Sequence, residues 1–286
     1  IDSPFVQKDI GFQLHGGASD GCALRGGAGL VYFQKQEMLN CTGSTDGRNN
    51  AVTKTAWTWL GRSPATGPFI PLRYLSILSG CSVLWLSQGP EFCLKFNLSK
   101  FLIQEGMVTS NSALSLDSSR IELQDGLLYV NGDTEMRFGS FLMHGFSQMR
   151  ITDADLFLKG MEFSGTDILA QAGKIEADVK IVIFVDGSNL LADRIYFKSN
   201  FFRTYGTIEA TRHPNSVNCS LEGLNPTLKI VGGIVDILET AEMIGSSISI
   251  VGQEISVSGQ LTASGSGCPA GGGVGAGSGC DLGSGY

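Results

Sequence analysis

From about Ala113 onward, apolar and polar residues alternate in short runs. Residues 120–123 read RIEL, 135–138 EMRF, 148–151 QMRI, 155–158 DLFL, 174–177 KIEA and 193–197 DRIYF. An apolar residue at every second position is the period of a strand with one buried face. The longest run, 179–185 (VKIVIFV), is β-branched and disfavours helix. Asp, Gly, Asn and Ser punctuate the runs every few residues. No helical period persists for three turns, and the best candidate, 238–244, is short. Asn131-Gly132 is the one good hairpin dipeptide.

Three segments repeat the pattern G-x-[IL]-x-A: Gly173 to Ala177, Gly206 to Ala210 and Gly259 to Ala263. A unit that recurs at irregular spacing, with one inward pair per strand, predicts a parallel β-solenoid whose loops vary in length. The expected architecture is therefore all-β and right-handed β-helix-like. Ala177, Ala210 and Ala263 are expected to stack on one another. Ile175, Ile181, Ile195, Phe197, Ile208, Ile250, Val257 and Leu261 are expected in the lumen. A β-sandwich is the competing fold, but the runs are short for one and hairpin signals are sparse.

The first hundred residues read differently. They hold all three tryptophans, five of the eight prolines and four of the seven cysteines. Runs such as 30–33 (LVYF), 54–59 (KTAWTW) and 82–86 (SVLWL) still predict strands. The expected division is an irregular N-terminal part of the solenoid over 1–110, regular coils over 111–264, and a glycine-rich tail or junction over 265–286. That last stretch, GSGCPAGGGVGAGSGCDLGSGY, lacks the apolar residues to form a core.

Composition narrows the partners. Charged residues make up only 16% of the 286, and the net charge is −7 with no basic run, which argues against nucleic acid. No apolar stretch is long enough for a spanning helix; the nearest, 69–86, is interrupted by Arg73. The chain begins at Ile1 without a signal peptide, so the reading is a removed targeting segment or a piece of something longer. Three N-x-S/T sequons, at Asn40, Asn97 and Asn218, are candidate glycosylation sites. The seven cysteines form no C-x-x-C pair. Sequons, scattered cysteines and low charge together predict a secreted, extracellular or cell-surface protein. Cys81–Cys93 is the first expected disulfide, Cys268–Cys280 the next and Cys22–Cys41 the third. Cys219 is left as the candidate for a link between chains.

Motifs of chemistry are scarce. There is no nucleophile elbow, phosphate-binding loop or zinc-protease motif, and 271–276 (GGGVGA) imitates a dinucleotide fingerprint without a βαβ context. His15, His144 and His213 are isolated, with no metal-ligand spacing, so no metal or cofactor is expected. Asp153 with Asp155, and Glu176 with Asp178, could serve a paired-carboxylate glycosidase, or be the solvated outer face of a strand. Trp57 and Trp59 are either a sugar-stacking pair or core. No catalytic residue is assigned.

The order of features, a glycine-rich stretch ending in Gly26-Gly27-Ala-Gly-Leu-Val-Tyr32 and, after the strands, Ile255-Ser-Val-Ser-Gly-Gln-Leu-Thr-Ala-Ser264 leading into new glycines, resembles the large glycine-rich surface proteins of plants and protists often labelled ephrin-receptor-like or growth-factor-receptor-like. The resemblance implies a surface-exposed solenoid module of a longer repetitive protein and carries over no catalytic residue. Uncapped solenoid ends need a partner. The expected function is thus structural: a self-assembling module of a fibre, appendage or matrix, its partners being copies of itself joined head to tail and its attached glycans. The alternative is a polysaccharide-binding or polysaccharide-degrading β-helix, either a lyase or a hydrolase.

Overall fold

The computed structural model describes residues 29–33, 38–42, 53–57, 73–78, 81–85, 93–152, 154–210 and 227–263. Within them the chain is all-β, with parallel strands stacked as a solenoid of about eight turns. The early strands are short: β1 (Gly29–Phe33), β2 (Met38–Thr42), β3 (Thr53–Trp57), β4 (Tyr74–Ile77) and β5 (Cys81–Trp85). The middle coils carry β6 (Leu94–Gln104), β7 (Met107–Ser110), β8 (Leu114–Gln124), β9 (Leu127–Val130), β10 (Thr134–His144), β11 (Gln148–Ile151) and β12 (Asp155–Gly165). Two long strands follow, β13 (Leu169–Phe184) and β14 (Asn189–Thr204), then β15 (Thr207–Ala210) and β16 (Leu228–Ile237). The last described coils are completed by β17 (Glu242–Gly245), β18 (Ile248–Val257) and β19 (Gln260–Thr262).

Each coil has three faces, and β13 shows how one strand supplies them. Ala170 and Ala172 point inward, then Ile175, Ala177 and Val179, then Val182 and Phe184. At Gly173-Lys174 and again at Lys180-Ile181 two consecutive residues stay outside the core, and the inward parity shifts as the chain turns a corner. Successive coils stand about twenty residues apart and lie in register. On the first face Leu114, Thr134, Leu156, Ile175, Ile195, Leu228 and Ile248 form one column. On the second the column runs Leu75, Phe101, Ile121, Phe141, Phe163, Val182, Phe202, Val235 and Ile255. On the third it runs Val108, Leu128, Met149, Ala170, Leu190, Ile208, Met243 and Leu261. Among the described pairings only β1 with β2 is antiparallel.

The lumen is apolar, and aromatic along part of its axis. Phe138, Phe141, Phe163, Phe184, Phe197 and Phe202 touch in series, with ring centroids 5.1–5.8 Å apart. Such offset and edge-to-face contacts add specificity to the area they bury. Hydroxyls close several corners: Ser110 Oγ donates to the Ser112 carbonyl, and Ser118 Oγ to that of Arg120.

The corner between the second and third faces uses a recurring device. Asp125 and Asp167 take positive φ, 50° and 51°, and the next coil places Gly145 (φ 62°) and Gly187 (φ 79°) against their carboxylates. The Asp125 carboxylate accepts a hydrogen bond from the Phe146 N–H at 3.0 Å. A methyl group at either glycine would land on the aspartate oxygen, so glycine is required there twice over, by conformation and by space.

Several expectations need correction. Ile175, Ile195, Phe197 and Ile208 are buried as expected, and Ile250 is partly buried. Ile181 is 38% exposed, because the corner before it turns it outward. Val257 and Leu261 occupy lumen columns yet are 44% and 45% exposed. The alanines do not stack as proposed: Ala177 pairs with Leu158 and Phe197 on the first face. A true small-residue column exists on the third face, where Ala172, Ala192, Ala210 and Gly245 lie in register. Asn131-Gly132 is a corner and not a hairpin, since β9 and β10 pair with other coils and not with each other. The short helix candidate at 238–244 is a turn followed by β17.

Candidate functional site

The first and last described coils differ in how far their inward residues are covered. At the N-terminal side, Leu39 and Cys41 of β2 are buried. At the C-terminal side, β18 lies on β16 and β19 on β17, in register, so Ile255 follows Val235, Val257 follows Ile237 and Leu261 follows Met243. Val235, Ile237 and Met243 are fully buried. Their successors are 46%, 44% and 45% exposed, because no described residue forms a further coil over them. Ile248 and Ile250 are only partly covered. Among the described residues, nothing pairs with the far edges of β18 and β19. Among the described residues the coil of β18 and β19 therefore leaves part of the apolar core uncovered and its outer strand edges unpaired, the kind of edge that templates further strand pairing.

The segment that follows in sequence, 264–286, lies outside the described residues. Its large apolar residues are Val274, Leu282 and Tyr286, set among glycines.

The disulfide among the described residues joins two coils. Cys41 and Cys81 form a disulfide with Cα atoms 6.0 Å apart and both residues buried. That corrects two expectations, Cys81–Cys93 and Cys22–Cys41, each of which would need a cysteine already used. Coil register brings the pair together: the β2 coil lies beside the β4–β5 coil, and Leu78 donates its N–H to the Cys41 carbonyl. Cys93 is free and exposed. Its sulfur is nonetheless desolvated enough to push the thiol pKa up, against the opposing pull of Lys95, so it is a poor nucleophile at neutral pH. Cys22, Cys219, Cys268 and Cys280 lie outside the described residues, as does the glycine-rich stretch 265–286.

The two described sequon asparagines lie in strands. Asn40 sits half-buried in β2, with its Oδ1 buried and without a hydrogen-bond partner. Asn97 is exposed on the outer side of β6, and Asn218 lies outside the described residues. Of the candidates for chemistry, Ser147 is fully buried and its Oγ donates to the His144 backbone carbonyl at 2.6 Å, which ties the hydroxyl to a corner and leaves no nucleophile–base pair. Glu176 and Asp178 do share the outer face of β13. Each is held by a lysine, Glu176 by Lys174 at 2.6 Å and Asp178 by Lys198 at 3.4 Å. Trp57 lies in β3, in register with Trp85 of β5. His15, His213, Trp59 and Asp153 lie outside the described residues. Among the described residues no group of His, Cys, Asp and Glu has metal-binding geometry, and no helix is long and apolar enough to cross a membrane.

Uncapped ends were expected from the sequence, but Val257 and Leu261 were read as buried lumen positions, because alternation reports which way a side chain points and not whether another coil covers it. No protein family, curated protein or solved structure matches the chain.

Proposed function

We propose that this chain is a structural module that self-associates through its C-terminal coil, head to tail, to build an extracellular fibre or matrix. The observation that carries the reading is the exposure of Ile255, Val257 and Leu261 in columns that are otherwise fully buried. Covering these three half-exposed aliphatic side chains contributes roughly 1 kcal/mol each. Pairing the edges of β18 and β19 with a neighbour supplies direction and register. At the opposite end β3 pairs only with β5 among the described residues, which gives a neighbour a strand edge to dock against. A patch on one end that meets a different patch on the other end does not close, and a filament results.

The compartment belongs to the same proposal. The Cys41–Cys81 disulfide is the chemistry of an oxidising environment, and exposed Asn97 is the sequon best placed to carry a glycan. A surface module of the glycine-rich repetitive proteins fits this set.

The test is sedimentation velocity over a concentration series. The wild-type chain is expected to form species that grow with concentration, whereas Ile255→Asp with Leu261→Asp should sediment as a monomer of unchanged circular dichroism. Wild-type protein that stays monomeric throughout, or a double variant that associates as before, rejects the reading.

A further inference from the structure

A second site lies away from the solenoid end, at the corner between the third and first faces. The chain there leaves a hollow of about 600 Å³ across three coils, within the size range of small-molecule sites. Gly173, which brings no side chain, forms its floor, and the Gly173 N–H donates to the Ala154 carbonyl at 2.7 Å. Around it stand Arg150, Asp155, Gln171, Lys174, Asp193 and Arg194.

Lys174 is occupied, bound to Glu176 and lying 5.4 Å from the Phe157 ring centre. Arg150 and Arg194 form no ion pair among the described residues, although two carboxylates, Asp155 and Asp193, line the same hollow. Three other arginines find acids: Arg137 pairs with Glu135, Arg120 with Glu122 and Arg203 with Asp236. Two guanidiniums and two carboxylates that share one hollow without using each other present planar donor forks and strong acceptors outward together.

We propose that this groove binds a carboxylate-bearing oligosaccharide. Arg150 and Arg194 take uronate carboxylates in the two-pronged geometry a guanidinium favours. Asp155, Asp193 and Gln171 take the sugar hydroxyls, which are donors that carboxylate and amide oxygens accept. The two acids, and the −7 charge of the chain, oppose a dense polyanion such as nucleic acid or polyphosphate, while a hydroxyl-rich chain of spaced carboxylates satisfies both kinds of group. The neighbouring rings Phe157 and Tyr196 are already covered by Lys174 and Lys229, so recognition here is polar and not by stacking. None of these residues belongs to the terminal coil, and the site does not depend on end-to-end association.

The experiment is calorimetric titration of the full chain with a cello-oligosaccharide oxidised at C6 to its uronate form, beside the unoxidised oligosaccharide of equal length. The uronate is expected to bind at least about tenfold more tightly than the neutral sugar. Arg150→Gln with Arg194→Gln should weaken that binding by at least about tenfold, while Lys100→Gln with Arg120→Gln, on the second face, should leave it unchanged. Circular dichroism verifies the fold of each variant. No heat with the uronate at millimolar concentration overturns the proposal, as does equal loss in the second-face variant, which marks non-specific charge attraction. Equal affinity for an oligoglutamate of the same charge also overturns it and reassigns the groove to acidic peptides.

Discussion

Phe163→Ala should lower stability by about 3–5 kcal/mol, the cost of emptying a large aromatic site in a core that cannot collapse around it. Phe163 is fully buried on the second face and touches Phe141 and Phe184, so its removal interrupts the axial series of rings at an inner position. The partner experiment is Ile181→Ala, one coil on, where the side chain turns outward and the cost should stay below about 1 kcal/mol. Urea unfolding followed by circular dichroism measures both. Equal losses at the two positions would contradict the three-faced parity of β13. Because neighbours in a solenoid contact only the coils above and below, the Phe163 variant should also show its loss locally, around the central coils.

Loss of the disulfide is the second large effect. Cys41 and Cys81 are 40 residues apart in sequence, and a cross-link of that span stabilises by about 3–4 kcal/mol when it constrains the unfolded chain. Cys41→Ala with Cys81→Ala should remove that much from the early coils, where the described strands are short. Hydrogen exchange by mass spectrometry resolves the location: protection should fall around β4 and β5 and persist in β13 and β14. Unchanged protection in the early coils, or a pair of alkylatable thiols at these positions in the unreduced protein, would contradict the cross-link.

Alternation of apolar residues was enough to identify strands, and the irregular spacing of short runs identified coils. Both follow from a solenoid's inward pairs, which each strand must supply by itself. Position around the coil was not legible. Ile181 belongs to an alternating run, 179–185, yet the corner at Lys180-Ile181 shifts the parity, and nothing in the residues marks that corner as two outward positions. The glycine–alanine repeat misled for a related reason. Gly206 to Ala210 and Gly259 to Ala263 do fall on the third face, but Gly173 to Ala177 crosses to the first. Disulfide pairing was read from closeness in sequence, whereas a solenoid makes residues one coil apart neighbours, and Cys41 meets Cys81 by that route. The hollow beside Gly173 was visible only as single charges. Asp155 was noted for its possible partner in catalysis, while Arg150 and Arg194 come together through β11 and β14 and share no motif.

Electron cryo-microscopy of the purified chain over a range of concentrations tests the end-to-end claim most directly. About eight coils at roughly 4.8 Å each give a module some 40 Å long. The account predicts filaments with an axial repeat near that length, in which Ile255, Val257 and Leu261 are covered by the first coil of the next subunit. Monomers, or closed pairs joined through two C-terminal coils, would contradict it.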